Sequence, residues 1–351
     1  MVSPYTRYVI NKTVTYTVLW FIAAFLNFLL PRIMPGDPIG RYLETLYNMA
    51  QGATGGIVQV VPEAERLRQE LISRFGLDQP PYTQFFYWLI NFLRGDWGYS
   101  LAFNNLPPVI DLVKEFLPNT LMILIPSLVV SWVVGNYLGA YMALKGGKSD
   151  KIGLSLMQFI SLIPAYWLII ILVYVFSVWW KSQFGQPLVP TSGKVVNMIP
   201  SLSWDYVVNQ LRAWILPMTT LTIIGIGGWS IGMRAYVIYQ LNANYMKYAK
   251  SLGLPKRVLG RYAFRNAIIP QFTAFAISFG GLFAGNLLVE MVYGYPGMGS
   301  LLLLIMSRLD IFGMQAIFTF TATMLLLANY AADILYGFLD PRIRRGITEV
   351  V

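Results

Sequence analysis

The sequence contains no cysteine and no histidine. Without cysteine there is no disulfide framework and no thiolate metal site. Without histidine the commonest general base and the commonest metal ligand are missing. An enzyme would have to work with carboxylates and lysines. Charge is scarce as well: 12% of the 351 residues are Asp, Glu, Lys or Arg, against about 25% in ordinary soluble domains. Apolar residues fill the difference, at 56% of the chain, and the mean hydropathy is +0.56. This balance favours a chain that resides in a membrane. The net charge of +10 suits a nucleic-acid binder or the excess of Lys and Arg found in cytoplasmic loops. The placement of the charges decides between them.

Six strongly apolar windows lack Asp, Glu, Lys and Arg: residues 13–31, 116–144, 152–180, 213–233, 266–289 and 311–332. A helix needs about 20 residues to cross a hydrocarbon core of about 30 Å. The expected fold is therefore an all-α integral membrane protein with six transmembrane helices. A seventh uncharged window, 45–62, is rich in Gly, Gln, Asn and Thr and reads as a loop. The first window is not followed by a small-residue cleavage site, and Pro31-Arg32 closes it. It reads as a retained helix rather than a signal peptide.

With the N-terminus in the cytoplasm, the inner segments hold Arg7, Lys12, Lys145, Lys148, Lys151, Arg234, Lys247, Lys250, Lys256, Arg257, Arg261, Arg265, Arg342, Arg344 and Arg345. Against them stand Asp150, Asp340 and Glu349. The outer segments are near balance. The positive-inside rule then puts both termini in the cytoplasm, and the basic excess is topological, which weakens the case for nucleic acid. Small-residue pairs at Gly135/Gly139, Gly228/Gly232 and Gly281/Gly285 read as close helix packing.

Two regions outside the spans carry organisation. The outer one, 32–115, is an insertion between the first two spans. Residues 62–75 have the marks of a helix, with Pro62 at the start, Glu63 and Glu65 in the first turn and Gly76 at the stop. Leu67, Leu71 and Phe75 form one apolar face. Residues 84–93 are apolar but too short to cross, so they are expected to lie at the interface or against the bundle. The inner region, 236–266, has Lys or Arg at seven positions counting from Arg234, and no acid. Tyr245, Tyr248, Ala249 and Leu252 repeat at i, i+3, i+4 and i+7, on one side of a short helix. Gly253 is placed to end it and Pro255 to open the next. Such a helix suits a partner's groove or an anionic lipid surface; spacing alone leaves both open.

The segment Tyr245-Met-Lys-Tyr-Ala-Lys-Ser-Leu-Gly-Leu254, followed by Arg265-Asn-Ala-Ile-Ile-Pro270, resembles the EAA loop of ABC importer permeases. That pattern sets an alanine four residues before a glycine and adds a distal Ile-Pro or Leu-Pro pair. Ala249, Gly253, Ile269 and Pro270 match it, while Ser251 stands where a second alanine is expected. Further blocks are similar to the first permease of dipeptide and oligopeptide importers. They are Pro35-Gly-Asp-Pro38, Gly76-Leu-Asp-Gln-Pro80, Gly95-Asp-Trp-Gly98, Leu117-Pro-Asn-Thr120, Tyr295-Pro-Gly-Met-Gly299, then Asn329, Asp333 and Tyr336, and Asp340-Pro-Arg-Ile-Arg344. The second permease of such pairs typically lacks the block at 35–38.

The resemblance implies a division into an N-terminal helix (1–31), an extracellular insertion (32–115), a five-helix core (116–336) with its cytoplasmic coupling loop (236–266), and a cytoplasmic tail (337–351). It implies four partners besides membrane lipid: a homologous second permease, two ATPase subunits and an extracellular solute-binding protein. The coupling set would be Tyr245, Tyr248, Ala249, Leu252, Gly253, Leu254, Arg265, Asn266 and Pro270. ATP binding would close the ATPase dimer, move this helix and turn the bundle from inward- to outward-facing. The chain itself would bind no cofactor, with ATP and Mg on the partner subunits. A phosphate loop needs G-x-x-x-x-G-K-[ST]; Gly147-Lys148-Ser149 comes nearest, and Met142 stands where the first glycine is required.

Glu290 and Asp333 flank the fifth and sixth spans, where ionisable groups are candidates for a path or gate. Both sit at span ends, where solvation is cheap and a structural role is favoured. The family likeness points first to peptides as cargo, with oligosaccharides and nickel carried by some members. An intramembrane enzyme would need a polar catalytic set at mid-bilayer, and a secondary transporter a charged coupling site there. The uncharged windows offer neither.

Overall fold

A computed structural model describes residues 4–33, 37, 39–46, 61–193 and 203–339. The loop expected at 45–62 falls largely outside these, as do Pro35 and Asp340 to Arg344. Among the described residues the chain is helical, with an isolated bridge between Tyr99 and Pro108. Among the described residues five helices are long and apolar enough to cross a membrane, or six if one bent pair counts as a single span. The chain divides into two compact units, one formed by Met1–Pro118 with Ser300–Val351 and the other by Asn119–Gly299.

In the first unit, α1 (Pro4–Ile33) turns Ile10, Val14, Val18, Phe21, Ile22 and Phe25 outward. An outward face this apolar suits lipid rather than water. Helix α2 (Val61–Arg74) follows the amphipathic pattern: Leu71 is buried, packed with Ile39, Tyr42 and Leu101, and Leu67 and Phe75 pack beside it. Helix α3 (Pro81–Leu93) lies against α1 through Phe85 and Leu89, which meet Ala24 and Phe28.

The second unit begins within α4 (Val109–Lys145), which at 37 residues is longer than one crossing requires. Next come α5 (Gly147–Leu162), α6 (Ala165–Val173), a π-helical stretch (Tyr174–Trp179) and α7 (Trp180–Phe184). The single span expected at 152–180 is therefore wrong. Ile163 and Pro164 are extended, with ψ of 124° and 130°, and the crossing-length segment runs from Ala165 to Phe184. Proline disfavours the helical conformation of the residue before it, and a count of uncharged residues does not register that.

Helix α8 (Trp204–Asn242) is capped by the Ser203 side chain and packs on α5. After the short α9 (Asn244–Ser251) comes α10 (Lys256–Leu282), then α11 (Leu287–Tyr293). The last two are bent by 53°, so the span expected at 266–289 is interrupted, with Gly285 at φ +75° in the break. The small-residue pairs behave differently from one another. A Cβ on Gly135 would come within 2.6 Å of Trp229 Cβ, which marks a true close approach of α4 to α8, whereas Gly228 and Gly281 face open space.

The chain returns to the first unit through α12 (Met298–Ser307) and ends in α13 (Ile311–Leu339), which packs along α1. Asp310 is fully buried at the start of α13. Its Oδ1 accepts from Gly313 N at 2.9 Å; its Oδ2 accepts from Ser100 Oγ at 2.5 Å and from Ala102 N at 3.3 Å. Burial pushes this carboxyl above the usual range, opposed by those hydrogen bonds. Asp310→Ala removes a helix cap and strands buried donors, so it is expected to cost about 2–4 kcal/mol. Asp310→Asn should cost less, since the cap survives. Thermal unfolding of the purified protein reads both.

Candidate functional site: the α9 turn and the buried clasp of the second unit

Helix α9 owes its short length to its two ends. Ala243 is extended, at φ −64° and ψ 151°, and separates α9 from α8. At the other end Gly253 takes φ +76°, a conformation that is cheap only without a Cβ. Gly253 N donates to Lys250 O at 3.0 Å and Leu254 N to Ala249 O at 3.4 Å, which is the Schellman pairing that satisfies the last carbonyls. Pro255 then caps α10.

The apolar stripe of α9 exists, but it is rotated from the expected one. Met246 and Ala249 point inward, at 0% and 7% exposure, into a cluster with Ala140, Met233, Val237, Leu259, Ala263 and Ala267. Tyr245, Tyr248 and Leu252 are exposed, at 42%, 67% and 61%. At about 100° per residue, Met246 and Ala249 bracket the inward direction, and Tyr248 and Leu252 fall on the far flank. Ala249 is thus a packing residue of this chain, not part of the exposed face to which the spacing assigns it. Lys247 and Lys250 on the same helix and Arg257 at the start of α10 are also exposed.

Tyr245 ties three helices together. Its hydroxyl donates to Gln240 Oε1 at 2.7 Å and accepts from Asn266 Nδ2 at 2.9 Å. Asn266, read from the sequence as part of this site, is therefore brought to it. Arg265 beside it is exposed and Leu254 half-buried. Pro270 lies inside α10, where its missing N–H leaves the Asn266 carbonyl without its helical donor. Nearby, Arg234 clasps Asp150 through Nε–Oδ1 at 2.5 Å and Nη2–Oδ2 at 2.6 Å. This fork joins α8 to the first turn of α5, and the guanidinium holds the Asp150 carboxyl below its usual range.

Glu290 differs from the expectation of a solvated span end. It is fully buried. Oε1 accepts from Thr120 Oγ1 at 3.0 Å and from Asn286 N at 3.2 Å, and Oε2 accepts from Gly299 N at 2.7 Å. Thr120 Oγ1 in turn accepts from Met298 N at 2.7 Å. Asn119 Nδ2 donates to Pro296 O, and Tyr295 OH donates to Asn119 O, both at 2.9 Å. Asn119 and Thr120, from one sequence block, and Tyr295 to Gly299, from another, thus form one clasp around Glu290. Asp333, half-buried on α13, pairs with Lys12 Nζ at 2.7 Å and accepts from Tyr16 OH at 3.0 Å. It fastens α13 to α1. Glu290 and Asp333 sit in different units.

The family described as "binding-protein-dependent transport system inner membrane component" matches residues 135–345. The chain belongs to this family. That matched stretch holds α9 and, of the clasp, Glu290 and residues 295–299, while Asn119 and Thr120 precede it. Beyond it, the permease is similar along nearly its whole length to proteins of known systems. It is 27% identical to the oligopeptide transport system permease protein AppB of Bacillus subtilis, over 96% of this chain and 98% of that one. The di/tripeptide transport system permease protein DppB of Pseudomonas aeruginosa is 29% identical, over 93% and 95%. The glutathione transport system permease protein GsiC of Escherichia coli is 29% identical, over 96% and 99%.

Sequence reasoning missed four polar residues of the permease that the structure puts to use. Asp310 was legible as an aspartate just before an apolar run, the usual capping position. Asp150 and Arg234 entered only as loop charges; nothing local pairs residues so far apart. Arg32 marks the end of a span in the sequence, and nothing local signals a buried cation.

Proposed function

We propose that the chain is the first of two unlike permease subunits of an ATP-driven importer, and that it forms half of the path for di- or oligopeptides. The observation that carries this is the full-length similarity to peptide permeases, over 93% or more of this chain in each of the three. In this reading the bent pair α10–α11 counts as one span, giving six crossings with both termini in the cytoplasm. The segment 32–115 is the outer insertion and 236–266 the coupling loop, within the core 116–336 and its tail 337–351. The exposed trio Tyr245, Tyr248 and Leu252, with exposed Lys247 and Lys250 on the same helix, is the surface that meets an ATPase. Tyr245 and Asn266 hold that surface to α8 and α10, and Gly253 and Leu254 fix the end of its helix. Arg265 adds charge at its edge, and Pro270 leaves a carbonyl of α10 unbonded. Glu290 and Asp333 act as fasteners rather than as cargo contacts. The chain draws its energy from ATP hydrolysed on two partner subunits and takes its cargo from an extracellular binding protein.

The test is reconstitution in proteoliposomes with the second permease, both ATPases and the binding protein. Labelled di- and oligopeptides should be taken up only with ATP and only when every subunit is present. Uptake of an oligosaccharide or nickel in place of peptides would overturn the cargo; ATP hydrolysis by the isolated chain would overturn the assignment.

Orientation has its own test. The absence of native cysteine makes single-cysteine labelling clean. Glu70→Cys is expected to react with an impermeant reagent from outside, and Lys256→Cys only after the cells are opened. Both positions are exposed. Reaction of Lys256→Cys in intact cells would reverse the topology.

A further inference from the structure

Arg32, at the end of α1, is a largely buried cation with an incomplete set of partners. Its Nη1 donates to Phe28 O at 2.8 Å and to Gln315 Oε1 at 2.5 Å. Its guanidinium lies 3.6 Å over the Phe28 ring. Its Nε is buried and makes no hydrogen bond, and neither does the amide nitrogen of Gln315, a residue only 1% exposed. Among the described residues no carboxylate pairs with Arg32. Burial alone pushes its pKa down, to about 10.

Leaving a buried charge and two buried donors unmatched is costly, and native structures rarely do so without a reason. Here the reason is adjacent. Arg32 and Gln315 both line one cavity of about 170 Å³ whose walls include Trp88, Trp97 and Phe312. The volume suits an amino-acid-sized molecule rather than a peptide in transit. A guanidinium is a fork that matches a carboxylate, and the Gln315 side chain holds this one through Nη1. The aromatic walls would cover a short carbon skeleton.

We propose that this cavity is a binding site for a small carboxylate, whose charge pairs with the Arg32 guanidinium. All the groups involved belong to the first unit, and the site does not depend on what the permease carries. Exposed Asp96 also lines the cavity. Its charge favours an acid that carries an ammonium group as well, as an α-amino acid does, over a simple acid.

The test is thermal unfolding of the full-length permease purified with its partner subunits, titrated with acetate at constant ionic strength. Acetamide serves as the neutral isostere and glycine as the zwitterion. A ligand that binds the native state raises the midpoint saturably. Acetate should therefore raise it and acetamide should not. Gln315→Glu places a carboxylate within reach of Arg32 from the chain itself; it should raise the midpoint without ligand and abolish the acetate response. Arg32→Gln should abolish the response as well. General salt or osmolyte stabilisation would persist in both variants. If glycine exceeds acetate, and Asp96→Asn removes the excess, the ligand is an amino acid. Equal responses to glycine and acetate assign a simple acid. Equal responses to acetate and acetamide, or an acetate response retained in Gln315→Glu, would overturn the site and leave the cavity to water. Should Arg32→Gln fail to fold, Gln315→Glu decides alone.

Discussion

A permease carrying Ala249→Glu is expected to insert in the membrane, lose the fixed position of α9 and lose transport by more than about a hundredfold, because a buried unpaired carboxylate costs several kcal/mol. Ala249 is 7% exposed in an apolar cluster contributed by α4, α8 and α10. Nothing in that cluster can pair with a carboxylate, so the helix must lift away to hydrate it. The defect would then begin inside this chain and reach the ATPase second. Leu252→Asp separates the two effects. Leu252 is 61% exposed, so its substitution should leave stability within about 0.5 kcal/mol and still weaken association with the ATPase. Gly253→Val falls between. No atom lies within 4 Å of where its Cβ would go, so the cost is backbone strain at φ +76°, about 1–2 kcal/mol. Co-purification of the ATPases, unfolding midpoints and transport rates distinguish the three. If Leu252→Asp assembles and transports as the wild type does, the exposed trio is not the coupling surface, and a lipid-facing role for the basic residues of α9 takes its place.

The parts of the fold that were legible in the sequence rest on local chemistry. Leu67, Leu71 and Phe75 gave the buried face of α2 through spacing alone. Gly253 and Pro255 gave the stop and restart around α9, since each constrains its own backbone. The apolar run at 311–332 lies within α13 because no proline or positive-φ glycine breaks it. Two of the failures share a physical cause, which is that hydropathy is an average. It passed over Ile163-Pro164, where one ring redirects the backbone, and Gly285, where a positive φ does the same. For α9 the periodicity identified a stripe but not which flank faces inward; Met246 decides that, through neighbours on other helices. Glu290 was judged as a lone charge at a span end. Its partners Thr120 and Gly299 lie 170 and 9 positions away, beyond what local pattern conveys. The proposed coupling role of α9 rests on resemblance to a family, and neither composition nor spacing supplies it.

Glu290→Ala is the second substitution with a large expected effect, and its cost should appear as stability rather than as altered cargo. Removing the carboxylate leaves Gly299 N and the Thr120 hydroxyl without an acceptor in a fully buried setting, and Asn286 N in a partly buried one. At about 1–3 kcal/mol for each stranded buried group, partial relaxation still leaves a loss on the order of 3–5 kcal/mol. The clasp leaves no room for rescue by a bulkier backbone. A Cβ on Gly297 would lie 2.5 Å from Glu290 Oε2, and one on Gly299 would lie 2.5 Å from Leu287 Cα. Both glycines are therefore expected to be intolerant of alanine. Glu290→Gln keeps the shape and one acceptor, but turns an NH₂ toward a backbone N–H that needs an acceptor. It should lie between wild type and alanine in unfolding midpoint. Transport per folded molecule is the deciding measurement. A fastener predicts that surviving Glu290→Gln protein moves cargo at the normal rate. Normal unfolding with a changed rate or cargo preference would instead put Glu290 on the translocation path, and the clasp would have to be understood as part of the gate.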